Sequence, residues 1–350
     1  MSDFKNSAIL FKPLLLLMML TQVTCTNSDS LGQEKSRPKE KIIDVSGDIR
    51  TIDLDIVISP RTSLTILDNI LLVTDGQSDD KGIHLLDKNS FKYITSTGKV
   101  GRGPGEIVRY GRVAPIPGER AFWIADYGKT VMWRFSLDSI LLNDQYLPEQ
   151  GPNFGMDFFL THYDLLNDSI ALGMGADVTS VSTYNAVSAK MNLISNEIAP
   201  FGYMHPEADG KMSRAIPGLS LRNQIFVKCY TSCDLMNICD LEGNLKFNVY
   251  GPRWKAKEEG YDYYSAPIFI DDNIIVAYSG EESWILNEYG RPEANLPTKF
   301  LVFDVNGNYR ATLETNEKFF QYCADEDNNR IFLYFTERDE PLAYFDLQLL

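Results

Sequence analysis

Ala121-Phe122-Trp123-Ile124-Ala125-Asp126, Tyr127-Gly128-Lys129, Thr130-Val131-Met132-Trp133-Arg134-Phe135 reads as two strands joined by a tight turn. Aromatic and β-branched residues fill both strands, and Gly128 supplies the backbone freedom a short turn needs. A strand at 108–116 precedes this hairpin, with a turn at Pro117-Gly118-Glu119-Arg120. After Leu137-Asp138-Ser139 a fourth, outer strand is expected at 140–143. Together they make a four-stranded antiparallel meander.

The same phrase returns along the chain. Triplets like the one at Phe122 begin at Ile70, Ile170, Ile225, Ile274 and Ile331, so the six are spaced by 52, 48, 55, 49 and 57 residues. A second marker, an apolar residue before an Asp-like one, recurs with a similar period at Leu86-Asp87, Phe135-Ser136, Met191-Asn192, Cys239-Asp240, Phe303-Asp304 and Phe345-Asp346. A unit of about 50 residues cannot cover both faces of its own sheet, so neighbours must stack. Repeated four-stranded sheets of this period imply an all-β fold, a six-bladed β-propeller. The sixth unit, from about Phe319 to Leu350, stops after three strands. Its missing outer strand is expected from Lys41-Ile42-Ile43-Asp44-Val45, with 52–58 behind it, closing the ring with an N-terminal strand.

The first 25 residues are different. Lys5 and Lys12 precede Leu14-Leu15-Leu16-Leu17-Met18-Met19-Leu20, a run too short to span a bilayer, and Cys25 follows. This reads as a secretory signal peptide. Its close on Cys25 resembles a bacterial lipobox, in which the Cys is lipidated and becomes the mature N-terminus. A signal peptide cut elsewhere would leave Cys25 incidental. Residues 26–39 are polar and read as a flexible tether, with the propeller at 40–350. The implied location is the cell envelope, with the membrane reached through the N-terminal lipid only.

Net charge is −15, and removing two Lys and one Asp with residues 1–25 leaves −16. No basic stripe exists to displace phosphate counterions, so nucleic acid is not an expected partner. Gly98-Lys99-Val100-Gly101-Arg102-Gly103-Pro104-Gly105-Glu106 is a poor phosphate loop, since Pro104 lacks an N–H and Glu106 repels anions. It resembles the G-x-G-P-G-E junction of six-bladed β-propeller lipoproteins of Bacteroidota, relatives of NHL and TolB-like propellers. That resemblance implies an architecture and an envelope location rather than a reaction.

Candidate ligand-binding residues follow from propeller geometry, which puts blade junctions and the loops between second and third strands on one face. They are Arg102, Glu106, Arg109 and Tyr110 around the Gly-rich junction, and Glu281, Trp284 and Arg291 from a long loop at 278–299. A second long loop is expected at 173–185. A Trp with flanking charges suits a glycan, a peptide or an envelope protein partner. Catalytic motifs are absent: His84, His162 and His205 have no metal-ligand spacing, and there is no HExxH, GxSxG or P-loop. Asp75, Asp79 and Asp80 lack the EF-hand arrangement and read as a solvated turn. No cofactor and no metal site are assigned. The alternative reading is a calcium-dependent hydrolase or lactonase with calcium in the central channel, held by scattered ligands that leave no local motif. Cys229 and Cys233 flank a turn, where a hairpin disulfide is expected.

The lipobox reading has a direct check. Cys25→Ser should move the protein from the detergent-soluble membrane fraction to the soluble envelope fraction. Unchanged fractionation would reject lipidation at Cys25.

Overall fold

The computed structural model describes residues 33–37, 41–208, 214–254 and 259–347. The signal peptide and Cys25 lie outside these residues. Six antiparallel sheets follow one another along the chain. Blade one is Thr62–Leu67, Ile70–Asp75, Lys81–Asp87 and Tyr93–Lys99. Blade two is Tyr110–Pro115, Ala121–Asp126, Val131–Ser136 and Glu149–Asn153. Blade three is Phe158–Leu165, Ile170–Val178, Tyr184–Asn192 and Ile198–Pro200. Blade four is Ala215–Ser220, Ile225–Tyr230, Leu235–Cys239 and Leu245–Tyr250. Blade five is Tyr261–Ile270, Asn273–Glu282, Lys299–Asp304 and Tyr309–Glu314. Blade six is Gln321–Asp325, Arg330–Tyr334 and Leu342–Asp346, completed by Arg50–Thr51.

All six periodic triplets lie in second strands. Those strands are buried on both faces, because each blade is sandwiched between two others. The strand Ile70–Asp75 is buried throughout, as is Ile225–Tyr230. The apolar side chains form clusters at the seams between blades. Phe122 and Phe135 stack 5.0 Å apart in the cluster of blades one and two. Phe300 and Phe319 stack at 4.6 Å in that of blades five and six.

The ring closes through the N-terminal segment, by different residues than expected. Thr51 pairs with Ala343 and Arg50 with Tyr344, and the Ile52 N–H donates to the Leu342 carbonyl at 2.8 Å. Ile52 and Ile58 are buried in the cluster between blades six and one. The expected closing stretch, Ile42–Asp44, instead runs parallel to the outer strand of blade five. Upstream, Gln33–Ser36 runs parallel to the outer strand of blade four, although composition alone reads it as tether. Such edge strands are held by backbone pairing and stay largely exposed, so no apolar pattern betrays them.

Blade two also corrects an expectation. Residues 140–142 belong to the helix Leu137–Leu142 rather than to an outer strand. The Ser136 hydroxyl caps it by accepting from the Ser139 N–H at 3.3 Å, and Leu137 and Ile140, three apart, face the core. The outer strand is the polar Glu149–Asn153. The expected loop at 173–185 is largely strand, with its turn near 179–183.

Two buried aspartates end second strands and hold the incoming blade junction. The Asp126 carboxylate accepts from the N–H groups of Val108 and Arg109, both at 3.0 Å, and from Gly128 at 2.9 Å. Asp75 accepts from the Ser59 N–H at 3.0 Å and the Gln77 N–H at 2.9 Å, and from the Ser59 hydroxyl. Asp75 is therefore a buried clamp, not part of a solvated turn.

Asp126→Ala should cost about 1–3 kcal/mol, because buried N–H groups lose their acceptor, and urea unfolding measures it. A chain beginning at Arg61 should aggregate, whereas one beginning at Ser30 should fold. Equal solubility and melting of the two would refute closure by the N-terminal segment.

Candidate functional site in the central channel

The six inner strands surround a channel. Its upper part has a volume of about 850 Å³ and is lined from all six blades. A lower chamber of about 470 Å³ opens toward the opposite face. Both are bounded by Ile66, Arg112, Pro267 and Ile268, which places Arg112 at the waist.

Inner strands would ordinarily present every second side chain to the channel. Three of them break that register. Blade two is irregular between Tyr110 and Val113, blade three between Leu160 and His162, and blade five between Asp262 and Pro267. Bulges re-aim side chains and concentrate near functional sites. Here they occur where Arg112, His162, Tyr263 and Ser265 line the channel.

The Arg112 guanidinium donates through Nε to the Tyr163 carbonyl at 2.8 Å and through Nη2 to Asp164 at 2.6 Å. Nη1 makes no hydrogen bond to the described residues, and the side chain is 36% exposed. His162 opens on the channel space but is enclosed by its walls. That enclosure, followed by the charge of Arg112, pushes its pKa down to about 4; Asp164 opposes the shift and Arg214 adds to it. The ring is therefore neutral at pH 7. Its Nδ1 lies 3.4 Å from the Thr161 hydroxyl, which donates to the Met174 carbonyl at 3.0 Å.

Behind the wall, at the seam of blades four and five, the Asp234 carboxylate accepts from the Arg253 N–H at 3.0 Å and the Tyr278 hydroxyl at 3.2 Å. Arg37, from the N-terminal arm, donates to that hydroxyl at 3.3 Å and lies 4.4 Å over the Tyr278 ring. The arm is thus tied to the frame of the channel mouth.

The residues nominated from the sequence do not assemble into one site. Glu106 folds back on its own loop, accepting from the Gly103 N–H at 2.7 Å and pairing with Lys99 at 3.0 Å. A Cβ on Gly103 would come within 2.9 Å of that carboxylate, which explains the glycine. Tyr110 is turned by the bulge into the seam with blade one, over Gly82, and its hydroxyl donates to the Gly98 carbonyl. Burial raises its pKa far above the usual phenol value. Arg102 and Arg109 are exposed on the junction. The long loop holds a hairpin, Trp284–Leu286 paired with Pro292–Ala294. Its base, at Ser283, Ala294 and Asn295, lines the channel. Its outer part carries Trp284, 64% exposed, together with Arg291. Glu281 accepts from the Asn295 amide at 3.2 Å. Arg112 and Arg214 were not nominated, and His162 was read only for metal-ligand spacing, because the nominations followed blade junctions and loops rather than the inner strands. Polar residues inside an inner strand were the available signal.

Cys229, Cys239 and Cys323 are free thiols. The expected Cys229–Cys233 disulfide is not formed. Cys229 packs into the cluster between blades four and five, whereas Cys233 packs against a different one, so their side chains diverge. Among the described residues no three His, Cys, Asp or Glu side chains converge as a metal site.

Six closed blades around a channel define a six-bladed β-propeller. No family model and no curated protein matches the chain. Solved structures share its fold. A protein described as exported, from Bacteroides fragilis NCTC 9343, is 9% identical and superposes with a TM-score of 0.56, covering 89% of this chain and 98% of its own. A duf4221 family member from Bacteroides vulgatus is also 9% identical with a TM-score of 0.56, covering 86% and 98%. A luciferin-regenerating enzyme is 8% identical with a TM-score of 0.51, covering 85% and 94%.

All three histidines are held below their ordinary value near 6.5, burial being the largest cause each time. The unfolded chain therefore takes up protons first as pH falls. This contribution to stability is complete above about pH 6.5 and is lost progressively toward about pH 4. Melting temperature should fall between pH 6.5 and 5, and His162→Gln should flatten that slope. A slope identical to wild type would exclude His162 as a contributor.

Proposed function

We propose that this chain is an exported, envelope-tethered binding module that holds part of a glycan, a peptide or a partner protein in the upper channel without chemical turnover. The observation that carries this reading is the 850 Å³ channel, open beneath the exposed Trp284 hairpin. Pockets of this size, mixing aromatic faces with a few oriented polar groups, suit ligand recognition. Phe320, 38% exposed, and Tyr184 supply aromatic faces; Ser265, Ser279 and Gln321 supply hydrogen-bonding groups. The Thr161 hydroxyl near His162 has its proton committed to a carbonyl, and the Cys323 thiol is buried with its pKa raised, so neither is poised as a nucleophile. Lipid attachment at Cys25 would hold the module at a membrane.

The calcium-dependent hydrolase reading draws on the shared fold of the luciferin-regenerating enzyme alone. It needs carboxylates free to converge on an ion. Asp164 instead faces Arg112 at 2.6 Å and Asp325 faces Lys88 at 2.8 Å. Binding is the reading the geometry favours.

A thermal-shift screen of oligosaccharides and peptides, with and without EDTA, tests the proposal. A hit should survive EDTA and be recovered unchanged. Ser265→Trp should weaken it by more than about 1.4 kcal/mol, a factor of ten, with the circular dichroism spectrum unchanged. Trp284→Ala should weaken it by about 1–3 kcal/mol, as expected for an aromatic anchor. Calcium-dependent consumption of the hit would replace this reading with the hydrolase.

A further inference from the structure

One side of the upper channel is built by the consecutive blades five, six and one. To its lining they contribute Ser279 and Ser283, Gln321, and Ser63 and Thr65. All five are half-buried, and none of their side chains makes a hydrogen bond with the described residues. Phe320, at the entry to the inner strand of blade six, adds an aromatic ring that is 38% exposed. Formal charge on the upper wall is limited to Arg112, Arg214 and Asp262, and Arg112 is matched by Asp164 at 2.6 Å. Two guanidiniums and two carboxylates cancel, so the channel is neutral inside a chain that carries −15.

A hydroxyl both donates and accepts hydrogen bonds, and so does a glutamine amide. A wall of such groups is best matched by ligand groups that also do both, as sugar hydroxyls do. Carboxylates and phosphates only accept, and they bring a charge that this wall does not answer. A peptide backbone keeps its donors and acceptors on separate atoms, and strand edges match it better than freely rotating hydroxyls. Aromatic rings add a flat apolar face, which suits the C–H face of a sugar ring. Trp284, 64% exposed, follows Ser283 directly in the chain and puts a second such face at the mouth of the same side. Two aromatic faces separated by hydroxyls suit a chain of sugars rather than a single one. Resting on the channel-binding reading above, we infer that the ligand is a neutral oligosaccharide, whose rings lie against the wall of blades five, six and one, from Trp284 at the mouth to Phe320 within.

The experiment is calorimetric titration of the full chain. The probes are neutral trisaccharides of glucose, xylose, mannose, galactose and N-acetylglucosamine, with trigalacturonate and an acetylated, amidated tripeptide for comparison. One neutral saccharide should bind at least about tenfold more tightly than either comparison probe. Its affinity should be unchanged by added salt, since no charge is there to screen. Phe320→Ala should weaken it about tenfold. Thr65→Val, which removes a hydroxyl at nearly constant shape, should weaken it by a smaller factor while keeping the wild-type melting temperature. Peptide binding without saccharide binding, abolished by Ser265→Trp, would overturn the saccharide inference and leave channel binding intact. Tighter binding of trigalacturonate than of every neutral probe would refute a neutral ligand. Saccharide binding that survives Ser265→Trp would place the site outside the channel and remove both readings. Binding lost in Ser265→Trp but indifferent to Phe320→Ala and Thr65→Val would rule out this wall. Failure of every neutral saccharide to bind at millimolar concentration would end the inference.

Discussion

Ring closure is the constraint on which the rest of this structure depends. Each blade buries both faces against neighbours, so a ring with one open seam would expose two sheet faces and two edges at once. The strand that completes blade six contributes only two residues, Arg50 and Thr51. Its hold is extended by Ile52 and Ile58 in the seam core and by Ser59 on the Asp75 carboxylate. The Tyr334 hydroxyl adds a bond to the Ser59 carbonyl at 2.9 Å. Closure is thus shared among a short ladder, a buried apolar pair and a charged clamp that reaches the next blade.

The same N-terminal segment does more than close the ring. Before reaching blade six it adds parallel strands to the outer edges of blades four and five. Between those strands Arg37 reaches inward to Tyr278, beside Asp234. One continuous arm thereby covers the exposed edges of half the propeller and braces the frame behind the channel mouth.

The channel draws its character from irregularity imposed on a regular scaffold. Rigid blades set the wall, and bulges in three inner strands choose which side chains face the lumen. Arg112, pinned by Asp164, marks the waist. Above it the wall is amphipathic. The polar groups held by these walls are oriented in advance of anything that enters the channel.

The sequence by itself determined the number of blades and the location of their second strands. Those strands are buried on both faces, so they must be apolar wherever the fold repeats, and Ile70 through Ile331 record that demand. It also determined that residues 1–25 are unlike the rest, and that the last blade lacks a strand. It did not reveal which N-terminal residues supply that strand, because edge pairing uses backbone groups common to every residue; Gln33–Ser36 reads as linker for this reason. Nor did it reveal the helix at Leu137–Leu142, whose two buried positions are too few to establish a period against strand. The candidate site was the least legible part. Tyr110 and Arg112 share a face by simple alternation, yet the bulge between them sends one into a seam and the other into the channel. Glu106 looked available until the glycines beside it allowed it to fold back on their own loop. Only the tertiary structure decided where Tyr110 and Arg112 point, since each is held by residues of a neighbouring blade, whereas Glu106 is held by its own loop.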